Sequence, residues 1–119
     1  TPLFYAVSNN RDSVMEILLD SGASLQAQDV LGKTPLCVAA EKKVEAPLRL
    51  LLQRGADPNA QDTLGRSPLH WAASKGYSKG IKILCENHAD LNLQDQYKRT
   101  PLLTTAAAGS YESVKILLS

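Results

Sequence analysis

The sequence predicts an all-α solenoid of stacked antiparallel helix pairs, and three observations support this fold class. A Thr/Ser-Pro-Leu tripeptide begins at positions 1, 34, 67 and 100, so one unit recurs every 33 residues. Aromatic residues make up only 5% of the 119 residues, which leaves an aliphatic core and favours helices over a β-sandwich. A single helix pair cannot bury both of its faces, so the units must stack side by side.

Each unit predicts a first helix that begins at the Thr/Ser-Pro pair. The hydroxyl can accept a hydrogen bond from a free backbone N–H, and Pro at the first helical position removes no donor that the helix needs. Small apolar residues follow, as in Val38-Ala39-Ala40. Small side chains allow a neighbouring helix to approach closely, so this helix is expected to face the next unit.

A second helix is predicted after a polar break in each unit. In each of the segments 15–19, 48–52, 81–85 and 114–118, one charged residue interrupts four apolar ones. This pattern gives an amphipathic helix with one buried face, antiparallel to the first helix. Gly22 and Gly55 end two of these helices, because glycine adopts the left-handed conformation of a helix C-terminus without steric strain.

Some residues depart from the repeat. His88 stands where Gly22 and Gly55 are expected, so either it adopts a left-handed backbone or the helix ends differently there. Pro47 and Gly80 occupy the position of Val14, from which we expect the second helices of the second and third units to start late.

A turn is predicted between successive units. Asp29, Asp62 and Asp95 recur just before each Thr/Ser-Pro pair, and Asp initiates turns by accepting hydrogen bonds from its own backbone. We interpret the three carboxylates as structural and not as a catalytic pair.

The 33-residue period, the Thr-Pro-Leu-x-x-Ala motif and the Gly-Ala-Asp-x-Asn run at 55–59 resemble ankyrin repeats, and the resemblance covers residues 1–119. It implies an ankyrin-repeat solenoid of L-shaped units with hairpin-like turns. It also implies one domain with repeats at about 1–28, 29–61, 62–94 and 95–119. The first and last copies are incomplete and lack polar capping helices, so we expect this domain to be part of a longer array.

Composition limits the compartment and the class of partner. The net charge of +1 is far below that of a typical nucleic-acid-binding domain, which disfavours a nucleic-acid partner. Two cysteines 48 residues apart, without a secretory leader, predict reduced thiols in an intracellular protein of the cytoplasm or nucleus. The apolar runs are too short for membrane insertion.

The sequence gives no pattern typical of an enzyme. Cys37 and His70 share one position of the first helix, and Cys85 replaces a leucine of the second, so all three are predicted to pack in the core. Cys85 and His88 supply at most half a zinc site. Phosphate-binding and metalloprotease motifs do not occur. We therefore expect no catalytic residues, no metal, no cofactor and no small-molecule substrate.

In ankyrin repeats similar to these, turn tips and the late positions of the first helices line a concave groove. The resemblance implies the partner-binding residues Leu31, Lys33, Lys42, Leu64, Arg66, Trp71, Lys75, Tyr97 and Arg99. Five of these residues are cationic, and Glu41 is the one acidic residue counted on the same surface, so the local charge is +4. Such a surface predicts an acidic protein segment with apolar anchors as the partner. Trp71 is either an exposed anchor or a core residue.

Two segments, 51–59 and 84–92, end in Asp-x-Asn and resemble ankyrin sites that a 2-oxoglutarate oxygenase hydroxylates. The resemblance implies Asn92 and Asn59 as candidate hydroxylation sites, with Asn92 the better match. The alternative is that both asparagine side chains bond their own turn backbone.

The leading functional hypothesis is a non-catalytic protein–protein interaction module that binds a partner segment on its concave face. The alternative is a structural spacer or a regulatory ankyrin arm of a larger multidomain protein.

Overall fold

The computed structural model describes residues 2–119, and over this range the chain forms eight α-helices and no strand. The helices are α1 Pro2–Ser8, α2 Asp12–Asp20, α3 Pro35–Lys42, α4 Glu45–Gln53, α5 Pro68–Ser74, α6 Ser78–Glu86, α7 Pro101–Ala108 and α8 Tyr111–Leu118. The first helix of each pair begins at a proline and the second begins ten residues later. The predicted all-α class is confirmed.

The helices form two layers. The first layer contains α1, α3, α5 and α7 in succession, the second contains α2, α4, α6 and α8, and the two helices of each pair also contact each other. The molecule measures 39 × 24 × 21 Å, so four pairs share the long axis at about 10 Å each, the usual distance between packed helices. The predicted stack of helix pairs is confirmed.

Burial differs between the layers as the sequence patterns predict. Six successive residues are buried in α3 (35–40) and in α5 (68–73), because each of these helices lies between two neighbours of its own layer and one helix of the other. The second-layer helices bury one face, through Leu48 and Leu51 in α4 and the equivalent Ile81 and Leu84 in α6. None of the helices within residues 2–119 has the length and apolar character required to span a membrane.

The predicted N-terminal caps are present. The hydroxyls of Thr34, Ser67 and Thr100 each accept a hydrogen bond from the backbone N–H three residues later, and Pro follows each cap. The equivalent cap predicted at Thr1 lies outside the described residues.

Left-handed residues recur at the helix ends. His88 has a φ of +67°, in the same region as Gly22 at +96° and Gly55 at +91°, so the left-handed alternative for His88 is correct. Lys43, at +58°, similarly adopts the conformation of Gly109, its equivalent in the last helix pair.

The expected late start of two helices is wrong. α4 begins at Glu45 and α6 at Ser78, in register with α2. Pro47 is the third residue of α4, where a backbone N–H would have no partner within the helix, so its ring is tolerated. Gly80 is buried because the ring of Tyr77 lies where a Cβ would be.

Candidate partner-binding groove

Three finger turns, residues 29–33, 62–66 and 95–99, project from the helix pairs and share one construction. In each, the first carboxylate oxygen of the Asp accepts the backbone N–H groups two and four residues later, at 2.9 to 3.0 Å. Asp62 and Asp95 are buried. The structural role predicted for these carboxylates is confirmed.

Adjacent finger turns are joined by backbone hydrogen bonds. The N–H of Thr63 donates to the Leu31 carbonyl at 3.0 Å, and the N–H of Gln96 donates to the Leu64 carbonyl at 2.9 Å. Gly65 lies at this contact with a φ of +76°, and a Cβ there would be 2.9 Å from the Gln96 nitrogen. The three turns therefore form one continuous row in which their tips are held in fixed positions.

The basic residues of the finger turns are paired with carboxylates. Arg66 Nε lies 3.2 Å from Asp62, and Arg99 Nε lies 2.9 Å from Asp95. Lys33 Nζ contacts Glu41 at 2.8 Å and Asp29 at 4.0 Å. Burial raises the pKa of Asp95, but hydrogen bonds from Arg99 and from the Tyr97 N–H outweigh it and hold that pKa below its ordinary value. The three aspartates reduce the charge of the surface from +4 to +1.

Trp71 belongs to the core and is not an exposed anchor. Its side chain is only 9% exposed, and its Nε1–H donates to Asp62 at 3.1 Å. The Arg66 guanidinium lies 4.0 Å from the centre of the indole ring, and Lys33 Nζ lies 5.0 Å from it. Trp71, Lys33 and Arg66 therefore hold one another in place by cation–π contacts.

The other predicted binding residues are accessible to different extents. Leu31 is 49% exposed and Tyr97 64%, whereas Leu64 is half-buried. Lys42 and Lys75 are exposed at the ends of α3 and α5, and none of the ion pairs among the described residues includes either of them. The Arg99 side chain is 49% exposed despite its pair with Asp95.

A groove lies between α1 and α3, beside the first finger turn, and its lining includes the predicted binding residues Lys33 and Lys42. Its volume is about 570 Å³. The lining residues are Phe4, Ser8, Gln28, Asp29, Val30, Lys33, Val38, Glu41 and Lys42. Phe4 aligns with the buried residues Cys37 and His70, but its ring is half-buried and forms part of the groove wall. Phe4 is larger than Cys37 and His70 at the same repeat position, and this difference in size was the signal that the sequence offered.

A family model described as ankyrin repeats (3 copies) matches residues 1–62 and, in a second overlapping match, residues 47–119. The chain belongs to the ankyrin-repeat family. Ankyrin repeats are generally protein–protein interaction modules, and the family is generally non-catalytic. A search of curated proteins found no significant match to this chain.

The candidate nucleophiles and bases of the ankyrin chain have structural positions. His70 accepts the Ser67 N–H on Nδ1 at 3.2 Å, so its proton is on Nε2, which donates to the Arg99 carbonyl at 2.8 Å. His70 thus connects two repeats as well as packing in the core. Cys37 and Cys85 are free thiols whose pKa values are raised by burial. Residues 2–119 contain no cluster of three or more His, Cys, Asp or Glu that could hold a metal ion.

The stability of the ankyrin chain should fall between pH 9 and pH 11 through Cys37. Burial raises the pKa of this thiol from 9.0 to about 11, so the unfolded chain ionises first. The contribution is complete below pH 9 and is lost as pH rises to 11, by about 2 kcal/mol. Urea unfolding across this range should give a shallower slope of unfolding free energy against pH for Cys37→Ala than for the native chain, because the variant lacks this thiol. Identical slopes would contradict the prediction.

The two candidate hydroxylation sites differ in their contacts. The Asn59 side-chain oxygen accepts the Asp90 N–H at 2.7 Å, so it bonds the next ankyrin repeat and not its own turn. Asn92 is exposed, and its backbone N–H donates to Asp90 at 2.8 Å. Hydroxylation at either residue remains a prediction, with Asn92 the more accessible.

Proposed function

We propose that this ankyrin domain is a non-catalytic protein–protein interaction module of the cytoplasm or nucleus. Its partner is a segment of another protein bound on the concave face, the surface formed by the finger turns and the late residues of α1, α3, α5 and α7. The observation that carries the proposal is the hydrogen-bonded row of turns, which presents exposed Leu31 and Tyr97 at fixed positions. A preformed surface loses little conformational freedom on binding, which favours affinity without a deep pocket.

The chemistry of the exposed residues supports a protein partner. Tyrosine is one of the residue types that most often supply binding energy at protein interfaces, and Leu31 adds exposed apolar surface that a partner can bury. Tyr97 is the aromatic residue of the turn tips, which offers little stacking surface for the bases of single-stranded nucleic acid. Lys42 and Lys75, which have no ion pair among the described residues, favour an acidic segment over a basic one.

The test is affinity capture with Leu31→Ser/Tyr97→Ser, compared with the native chain and a matched control. Val14→Ser/Ile17→Ser is the control, because these side chains lie on α2 and are 47% and 65% exposed, close to the values for Leu31 and Tyr97. A protein bound by the native chain and by the control should be lost from the variant of the finger turns. Equal recovery by both variants would place binding elsewhere.

A structural spacer or regulatory arm of a larger multidomain protein is the second candidate function. Leu103 on α7 is 55% exposed, although the equivalent residues Cys37 and His70 are 0% and 1% exposed. Neighbouring helices flank α3 and α5 on both sides, where this position is buried, so the exposed face of α7 is suited to contact with another part of a larger protein.

A further inference from the structure

We propose that the groove between α1 and α3 holds one apolar side chain of the partner, while Lys42 and Lys75 bind two carboxylates of the same extended segment. This inference rests on the proposed function and specifies the chemistry of its partner: an acidic segment with a single apolar anchor at one end of the contact. The apolar groove and the two lysines, which have no ion pair among residues 2–119, support different parts of it.

The groove has the size and lining of a site for an apolar group. Its volume of about 570 Å³ lies within the usual range of 300 to 1,000 Å³ for ligand clefts. Phe4, Val30 and Val38 supply apolar surface, and Val30 is 97% exposed, so the chain itself leaves this side chain uncovered. Burying such surface under a partner side chain is favourable by about 25 cal/mol for each Å² removed from water.

Lys42 offers the partner an ion pair at the rim of the groove. Asp29, Lys33 and Glu41 at the rim form an ion-pair cluster whose side chains are 12 to 29% exposed, and its two carboxylates and one ammonium leave one negative charge. Lys42 is the rim residue whose ammonium group lacks such a carboxylate partner among residues 2–119. A carboxylate beside the apolar anchor therefore gains an ion pair with Lys42, whose charge brings the sum over the four charged rim residues to zero.

The distance between the lysines determines the spacing of the carboxylates. Lys42 and Lys75 are equivalent residues of adjacent repeats, so they are separated by about the helix-packing distance of 8–10 Å. A segment in the polyproline II conformation rises by about 3.1 Å per residue and repeats its side-chain direction every three residues, so carboxylates three residues apart match the two lysines. Ala108 is the equivalent residue of the next repeat, so this pair of contacts ends at α5.

The experiment selects peptides from a random 12-residue phage-displayed library on the immobilised 119-residue chain. Dissociation constants of the selected peptides, made synthetically with a fluorescent label, are then measured by anisotropy. Two double variants are compared: Lys42→Glu/Lys75→Glu, and the charge-matched control Lys82→Glu/Lys115→Glu on the exposed side of α6 and α8. Val30→Asp tests the groove directly, and Val14→Asp is its control.

Selected peptides should carry an apolar residue and two acidic residues about three positions apart. Their affinity should fall about tenfold or more for Lys42→Glu/Lys75→Glu and for Val30→Asp, and should change less than about twofold for either control. Peptides without acidic residues, or peptides that bind these variants as tightly as the native chain, would overturn the inference. If the peptides that overturn the inference still lose affinity for Leu31→Ser/Tyr97→Ser, the proposed function stands. If they bind that variant as tightly as the native chain, the proposed function fails as well.

Discussion

Replacing Asp62 by Ala should lower the free energy of unfolding by about 3 to 5 kcal/mol, the range for removing one partner of a buried ion pair. The Asp62 carboxylate accepts the N–H groups of Leu64 and Arg66, the Arg66 guanidinium and the indole N–H of Trp71. Alanine leaves these donors without an acceptor inside the fold and also removes the turn-forming contact. The change should appear as a lower urea midpoint in circular dichroism.

Asp29→Ala is the matched control for this prediction. Asp29 makes the same two backbone contacts, but it is half-buried and its nearest cation, Lys33, lies 4.0 Å away. Asp29→Ala should lower the free energy of unfolding by about 1 to 2 kcal/mol, because only the turn contacts disappear. Trp71 is the single tryptophan of the chain, so its emission should shift on Asp62→Ala and remain unchanged on Asp29→Ala. Equal losses of stability would show that the turn contacts alone matter.

The period of the sequence was sufficient to predict the fold. Four Thr/Ser-Pro pairs 33 residues apart locate the starts of the first helices, and hydroxyl caps at Thr34, Ser67 and Thr100 follow from local chemistry. The turn aspartates were predictable for the same reason, because their contacts lie within four residues. Interactions of short range along the chain are encoded in the motif itself.

Side-chain contacts of the finger turns, both within a turn and between repeats, were predicted less well than the backbone contacts. The predicted surface charge counted only residues expected to line the groove, so it left out Asp62 and Asp95. Each of these carboxylates accepts from the turn backbone with one oxygen and from an arginine side chain with the other. The environment of Trp71 depends on Lys33, which belongs to the preceding finger turn. Whether Trp71 is an exposed anchor or a core residue depends on distances between repeats, and the period of the sequence does not give those distances.

The groove beside α1 shows the same limit. It exists because Phe4, Val30 and Val38 come together from three separate segments, none of which is unusual alone. Pro47 is the opposite case: a local rule predicted a late helix, but the first turn of α4 tolerates proline because its N–H groups need no helical partner. A residue type indicates a tendency, and its position within the element decides the outcome.

Replacing His70 by Ala should lower the free energy of unfolding by about 3 kcal/mol, from the cavity left by the ring and the loss of its hydrogen bonds. The ring is 1% exposed and bonds both the cap of its own helix, at Ser67, and the Arg99 carbonyl of the next repeat. Because the second bond connects two repeats, the variant should unfold with a broader urea transition as the last helix pair separates from the rest.

His70→Leu distinguishes packing from hydrogen bonding at this site. Leucine fits the local backbone, since Leu103 occupies the equivalent position in α7, and it fills most of the volume of the ring. It leaves the Arg99 carbonyl and the Ser67 N–H without their partner, so the expected loss is about 1 to 3 kcal/mol. Hydrogen exchange should then increase in residues 95–119 more than in residues 35–66. If His70→Leu is as stable as the native chain while His70→Ala is not, the histidine contributes by packing alone, and the finger turns are held together by their backbone hydrogen bonds.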